Sequence, residues 1–206
     1  MFQKLYFMVS ETPDVIVDHG LPLRQLRRPE HLRALAHPRR MELIDLLIAE
    51  GALTATECAA RLGDSPGGCS YHLRQLARCG FVEEAPGGRG RQRPWRYLPM
   101  GNRFDEGTTE AERTAGAELA AVLDERNARR VRDYRTTSAS DPWHEAAMSS
   151  DWSVWLTEEE LAQVAEQIAA LLAPLQKRTF DGFVPDGARL VDAITYLLPR
   201  PARPDA

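Results

Sequence analysis

The side chains of residues 65–80 have types and a spacing suited to one kind of chemistry. Ser70, Tyr71, Arg74 and Gln75 fall at i, i+1, i+4 and i+5, so an α-helix would bring them to one side. Guanidinium and amide groups can pair with the edges of guanine and adenine, and hydroxyl groups can bond to bases or phosphates. The pattern predicts a helix that recognises duplex DNA through hydrogen bonds, without making or breaking a covalent bond.

The sequence also marks where this helix begins and ends. Ser65 is a favoured N-cap, Pro66 suits the first helical position, and Gly80 is placed to end the helix. The apolar side of the helix would consist of Cys69, Leu73 and Leu76. Gly67 and Gly68 lie near the start, where they weaken the first turn but allow the backbone to approach a ligand closely.

Further helices are predicted before this one. Residues 31–36 and 38–50 carry apolar residues at helical spacing, and Pro38 separates the two segments because the residue before a proline avoids the α-helical region. Residues 54–57 read Thr-Ala-Thr-Glu, a capping box that opens a third helix ending at Gly63. Only a few residues then precede the next helix, which is the turn length of a helix-turn-helix.

A hairpin is predicted directly after the DNA-reading helix. Residues 81–85 and 95–98 have the composition of strands, and residues 86–93 between them are rich in Gly and Arg. Such a wing can place guanidinium groups against phosphates or in an adjacent minor groove. The candidate DNA-binding residues are therefore Ser65, Gly67, Gly68, Ser70, Tyr71, His72, Arg74, Gln75, Arg89, Arg91 and Arg93.

Five segments of residues 31–98 stand in the order and spacing of a known DNA-binding domain. They read LRALAHPRR at 32–40, AARLG at 59–63, SYHLRQL at 70–76, GFVEE at 80–84 and WRYL at 95–98. They resemble the ArsR-like winged helix-turn-helix regulators. The resemblance implies a dimeric bacterial transcriptional regulator, commonly a repressor that an inducer releases. Many metal-sensing members carry a Cys-x-Cys pair in the third helix, where this chain has Cys58 alone, so no metal is expected.

Charge is divided unevenly along the 206 residues. The formal net charge of the whole chain is −4, but residues 24–98 carry thirteen Lys and Arg against eight Asp and Glu, a net +5. The remainder is therefore strongly acidic. A basic module joined to an acidic one fits a DNA reader that carries a regulatory region. The alternative is that the acidic helices only keep the protein soluble.

The C-terminal half is predicted to be helical and to pair two copies of the chain. Helical patterns run over residues 110–134 and 157–175, and a Thr-Glu-Glu-Glu capping box opens the second. Residues 152–156 alternate like a strand, whereas residues 188–198 suit a helix by spacing and a strand by composition. In the resembled family a helix after the wing usually forms the dimer interface, which assigns that role here chiefly to the first helix, with help from residues 157–175. The arginines near its end are predicted to meet solvent or acidic side chains rather than DNA.

Aromatic residues concentrate in the same half and permit two interpretations. They could line the pocket of a small-molecule inducer, or they could build a small core and dimer interface, which we favour. The residues concerned are Trp143, Trp152, Trp155, Phe180 and Phe183. Asp141, His144 and Glu145 are disfavoured as a metal site, since a lone His near carboxylates is usually exposed surface.

Together these patterns predict a mainly α-helical protein with a small β component. The expected parts are a partly disordered N-terminal arm (1–28), a winged helix-turn-helix domain (29–100), a helical dimerisation or regulatory region (104–198) and a disordered tail (199–206). No phosphate-binding glycine loop after a strand, nucleophile elbow or zinc-hydrolase pair is present, so neither an enzyme activity nor a cofactor is expected. The predicted function is sequence-specific DNA binding by a cytoplasmic, homodimeric regulator with no membrane partner. The alternative is a winged-helix protein-interaction module that does not bind DNA.

Overall fold

The computed structural model describes residues 15–88, 93–103, 107–136 and 141–201. The chain divides into two compact units, Met1–Arg132 and Asp133–Ala206. The described residues are mainly helical with two small sheets, so the predicted fold class is confirmed.

Four helices form the first part of the first unit. They are α1 (Pro29–Leu35), α2 (Pro38–Glu50), α3 (Ala55–Leu62) and α4 (Pro66–Arg78). Three of them begin with a proline, where the missing N–H costs no hydrogen bond. α3 begins at the predicted capping box: the Glu57 amide donates to the Thr54 hydroxyl, and the Thr54 amide donates to the Glu57 carboxylate. The predicted helix order is therefore confirmed.

The described residues of the first unit also form two three-stranded sheets. The N-terminal sheet contains β1 (Val15–Asp18), β2 (Leu21–Gln25) and β6 (Gly101–Arg103), with β2 in the middle, antiparallel to β1 and parallel to β6. The other sheet contains β3 (Leu53–Thr54), β4 (Val82–Glu84) and β5 (Pro94–Tyr97), with β5 in the middle and both pairings antiparallel. β4 and β5 are the predicted wing, and β3 joins the wing to the start of α3.

The N-terminal sheet was not predicted, and it corrects the boundary placed at residue 29. Leu21 and Leu26 are buried, and the Leu26 amide donates to the Arg103 carbonyl at 2.7 Å. These residues therefore belong to the body of the first unit. The strand β6, which pairs with β2, lies far along the chain, so no local sequence pattern could reveal the pairing of β2 with β6. The disorder predicted for the extreme N-terminus falls on residues that lie outside the described ranges.

One hydrophobic core holds the first unit together. The side chains with at most 2% exposure include Leu26, Leu32, Leu43, Leu73, Leu76, Phe81, Val82 and Leu119. Burying each of them contributes about 1.5–3 kcal/mol. They come from the residue after β2, from α1, α2 and α4, from the start of the wing and from a later helix, so the core joins these parts of the unit.

That later helix, α5 (Glu110–Arg135), corrects one expectation. Ala115 and Leu119 lie in the core, and Val122 and Leu123 pack against it. The sequence pattern shows an apolar face but not what covers it, and we expected a second copy to do so. The first unit covers this face itself.

The arginines near the end of α5 meet acidic side chains on α2. Arg126 Nε donates to Asp45 at 2.9 Å, and Arg130 Nη2 donates to the same carboxylate at 2.7 Å. Arg129 Nη1 donates to Glu42 Oε1 at 2.7 Å. We predicted that these arginines meet solvent or acidic side chains, and all three meet acidic side chains.

The second unit contains α6 (Trp143–Ala146) and α7 (Glu158–Phe180). Among its described residues Ala173 is the only buried apolar one. Residues 152–156 form neither helix nor strand, so the strand predicted there is wrong. Residues 188–198, for which the sequence allowed a helix or a strand, also form neither. Alternation of residue types does not make a strand where no neighbouring strand supplies hydrogen bonds. No helix of the described residues is long and apolar enough to cross a membrane.

The aromatic residues of the second unit do not build the expected core. Trp152 and Trp155 are 80% and 85% exposed, and Phe183 is 59% exposed. Trp143 instead lies under the Arg189 guanidinium, 5.2 Å from the ring centre. The core expected of these side chains is therefore absent from the described part of a single copy.

Candidate nucleic-acid interface

The N-terminus of α4 is fixed by the residue that the sequence singles out. Ser65 Oγ accepts a hydrogen bond from the Gly68 amide at 3.0 Å, which caps the helix. A Cβ added at Gly68 would stand 3.0 Å from this hydroxyl and 3.2 Å from Asp64 Oδ1, so a side chain there would press on the cap. A Cβ at Gly67 would meet open space. Gly68 therefore maintains the cap, whereas Gly67 leaves the backbone open at the surface.

The C-terminus of α4 is closed by a Schellman motif. The Gly80 amide donates to the Ala77 carbonyl at 2.9 Å and the Phe81 amide donates to the Leu76 carbonyl at 3.0 Å, with Gly80 at φ +68°. The cap position itself is Cys79, one residue before the glycine that the sequence pattern favours. The glycine is needed because this conformation is left-handed.

Arg24 joins the N-terminal sheet to this end of α4. Its side chain is only 9% exposed, Nη2 donates to the Gly80 carbonyl at 2.6 Å, and the guanidinium lies 4.6 Å from the centre of the Phe81 ring. Burial lowers the pKa of this guanidinium. Arg24 therefore holds the end of α4 and the start of the wing in place. Sequence reasoning missed it because the residues it contacts are distant along the chain.

The two sides of α4 differ sharply in exposure. Cys69, Leu73 and Leu76 have no solvent-accessible surface, whereas Tyr71 is 55% exposed and Arg74 is also exposed. The residues on the outer side, at helical spacing, are Gly67, Ser70, Tyr71, Arg74, Gln75 and Arg78. Burial on one side fixes the helix in the unit and leaves a polar side, about 20 Å long, open to a partner.

A chain of ion pairs connects α5 to the N-terminus of α4. Glu42 accepts from Arg129 through Oε1 at 2.7 Å and from Arg39 Nη1 through Oε2 at 2.8 Å. Arg39 Nε then lies 3.0 Å from Asp64 Oδ2. Asp64 Oδ1 accepts from the Ser65 amide at 2.6 Å, next to the cap of α4. We call these five residues the ion-pair chain, and it positions the start of α4 relative to α2 and α5.

His72 points towards α2 rather than outwards. Its ring centre lies 4.6 Å from that of His37, and the buried Nδ1 of each ring has no hydrogen-bond partner among the described residues. Burial is the main cause that lowers the pKa of both imidazoles, and Arg40 lowers both further. His72, one of the candidate DNA-binding residues, therefore packs half-buried against His37.

Only one of the three wing arginines predicted to contact DNA lies in the described ranges. Arg93 is described, with a side chain 64% exposed and its Nε 4.0 Å from Glu84 Oε2. Arg89 and Arg91 lie outside the described residues. Within the sheet Arg96 Nε donates to Glu83 Oε1 at 2.7 Å, which links β4 to β5.

Two of the three cysteines, Cys58 and Cys69, are buried, and Cys79 is half-buried. Cys58, Cys69 and Cys79 are free, and burial raises the pKa of the Cys58 thiol to about 11. In the described ranges no group of three or more His, Cys, Asp or Glu side chains is placed to hold a metal ion. Asp141 is engaged by Arg189, and His144 stacks on Tyr134 with ring centres 5.1 Å apart.

The arrangement built from these residues matches a known kind of domain. Residues 35–85 match the model of a helix-turn-helix domain. This part of the chain therefore resembles a helix-turn-helix domain in sequence as well as in fold. With β4 and β5 following α4, the fold of the first unit is a winged helix.

Comparisons with whole proteins add no further support for an identification. A search of curated proteins found no match. The structure of reduced HlyU from Vibrio cholerae N16961 is 22% identical, covers 45% of this chain and 84% of its own, and has a TM-score of 0.29. The YusO protein from Bacillus subtilis is 17% identical, covers 84% of this chain and 89% of its own, and has a TM-score of 0.31. At these TM-scores neither likeness adds to the argument.

Proposed function

We propose that this protein is a sequence-specific DNA-binding transcriptional regulator. The observation that carries the proposal is α4, which is fully buried on one side and presents Tyr71, Arg74 and Gln75 on the other, within a helix-turn-helix domain. A helix held in this way can enter a major groove, where Arg and Gln side chains form bidentate pairs with base edges.

We further propose that it acts as a homodimer of the ArsR-like kind, with two α4 helices in successive major grooves of a near-palindromic site. Occupying promoter DNA is sufficient for repression, and an inducer would release the protein by binding its DNA-free form more tightly. Three free thiols suit the reducing cytoplasm.

Salt dependence of DNA binding tests the general proposal. Genomic fragments that the protein enriches should bind more weakly as salt rises, because each phosphate contact releases a counterion. Fluorescence anisotropy at several salt concentrations measures the slope. Failure to bind any enriched fragment at low salt would contradict the proposal and favour the protein-interaction module.

Arg74→Ala tests the recognition surface. If the guanidinium forms a bidentate base contact, its loss costs about 1–3 kcal/mol on the preferred sequence and relaxes the preference at one base pair. Arg132→Ala is the matched control, because it removes the same charge from an exposed position on α5. Equal losses for the two variants would show that α4 does not read the bases.

A further inference from the structure

The exposed apolar surface of this protein is concentrated in the second unit. Among the described residues the large apolar side chains with high exposure all belong to residues 134–198, except Val17, Tyr71 and Val131. Soluble monomers rarely expose apolar side chains in such numbers, and large exposed patches usually mark an interaction surface. The helix α7 is the longest regular element there and supplies part of this surface.

The apolar residues of α7 have the spacing of a coiled-coil seam. Leu161, Val164, Ile168, Leu171 and Leu175 follow one another at intervals of three, four, three and four residues. The first three are partly buried within the unit, whereas Leu171 is 72% exposed and Leu175 is 48% exposed. One edge of the seam is therefore open to a partner.

Charges beside the open edge specify how a partner helix would run. Glu160 and Arg178 are separated by 18 residues, about five whole turns, so they lie on the same side of α7 at its two ends. Leu171 lies about three whole turns after Glu160 and about two whole turns before Arg178, so it lies on nearly the same side of α7 as both charges. In an antiparallel two-fold pair this flank faces the same flank of the partner run in reverse, so Glu160 lies against the partner's Arg178 at both ends. In a parallel pair it would face the opposite flank of the partner, which carries neither of these two charges.

We propose that α7 pairs with α7 of a second copy in an antiparallel, two-fold symmetric interface centred near Ile168. The surface is self-complementary, as a two-fold interface requires, because the same helix carries the acidic end, the apolar edge and the basic end. This inference rests on the proposed homodimer and names its contact surface. It assigns the pairing to α7 because the first unit already covers α5.

Leu171→Glu tests the apolar edge. The side chain is exposed in one copy, so the substitution leaves the fold of the monomer intact but buries a charge in the interface. We expect dimerisation to weaken at least roughly tenfold, measured by sedimentation equilibrium of the full chain without DNA. Leu198→Glu is the matched control, because Leu198 is 76% exposed and lies outside α7. Equal effects of the two variants would overturn the assignment to α7.

Charge variants test the antiparallel direction. Arg178→Glu should weaken the dimer by setting an acidic group against the partner's Glu160, and adding Glu160→Gln should restore part of the loss. Gln keeps the capping box intact. Lys177→Glu is the control, since Lys177 lies about 100° round the helix from Arg178. Absence of rescue by Glu160→Gln would overturn the antiparallel arrangement.

The same measurement separates this inference from the proposed function. A wild-type chain that sediments as a monomer would overturn the inference. It would not decide whether the protein binds DNA, which is measured separately. A dimer that is disrupted by Leu171→Glu but binds no DNA would support the inference and contradict the proposed function.

Discussion

The two units of this chain use apolar residues in opposite ways. The first unit encloses Leu73, Leu76 and Phe81 almost completely, and its helices and wing share one core. The second unit leaves Leu171 and Trp155 largely in solvent, and Ala173 is its only buried apolar residue in the described ranges. Periodic apolar residues occur in both. A periodic pattern therefore indicates that a face must be covered, but not which part of which chain covers it.

The largest expected effect tests this contrast directly. Leu73→Ala should lower the free energy of unfolding by about 2–5 kcal/mol, because it removes a fully buried side chain from the core. Leu171→Ala should change the unfolding of a dilute monomer little. Urea denaturation at low protein concentration measures both. Equal losses would mean that the second unit has a core of its own.

The ion-pair chain gives the next largest effect. Glu42→Gln leaves Arg39 and Arg129 without their shared carboxylate, and we expect a loss of about 1 kcal/mol in DNA affinity as the start of α4 loses its support. Glu125→Gln is the control, because it breaks a single exposed pair with Arg132. If both variants bind DNA as the wild type does, the ion-pair chain does not position α4.

The histidine pair gives a smaller, pH-dependent effect. His37 and His72 have lowered pKa values in the folded chain, so the unfolded chain binds their protons more tightly. Their contribution to stability is therefore complete above the unfolded pKa of about 6.5 and is lost as the pH falls through the lower folded values. The charged groups around them are Arg39, Arg40, Glu42 and Asp64.

Replacing one ring should flatten this dependence. Urea unfolding of His72→Gln between pH 7 and pH 5 should show a smaller loss of stability than the wild type, whereas His144→Gln in the second unit should keep the wild-type slope. An unchanged slope in His72→Gln would show that the pair is not responsible.

The smallest effect is expected from the thiols. Zinc, chelators and mild oxidants should leave DNA affinity unchanged, because the Cys58 thiol has a pKa raised to about 11 and stays protonated at neutral pH. Anisotropy titrations with and without each reagent measure this. A reversible loss of binding that Cys58→Ser abolishes would contradict it.

Features set by interactions within one helix could be predicted from the sequence, whereas contacts between distant segments could not. Ser65, Pro66 and the stripe containing Leu73 act within one helix, so the position and the buried side of α4 could be predicted. Arg24 and the ion-pair chain join segments that are distant in sequence, and residue types do not reveal such contacts. For the same reason the outward side of α4 could be predicted, whereas for His72 the sequence allowed either packing or a phosphate contact.

The parallel pairing of β2 with β6 also has a consequence for the order of folding. During synthesis at about 5–20 residues per second, roughly 4 to 16 seconds separate Leu23 from its partner Gly101. The edge of β2 that receives β6 cannot be paired in this interval, while the helices of the domain are already emerging. The pairing of β2 with β6 therefore follows the synthesis of the four helices and the wing, and contact between such distant segments slows folding.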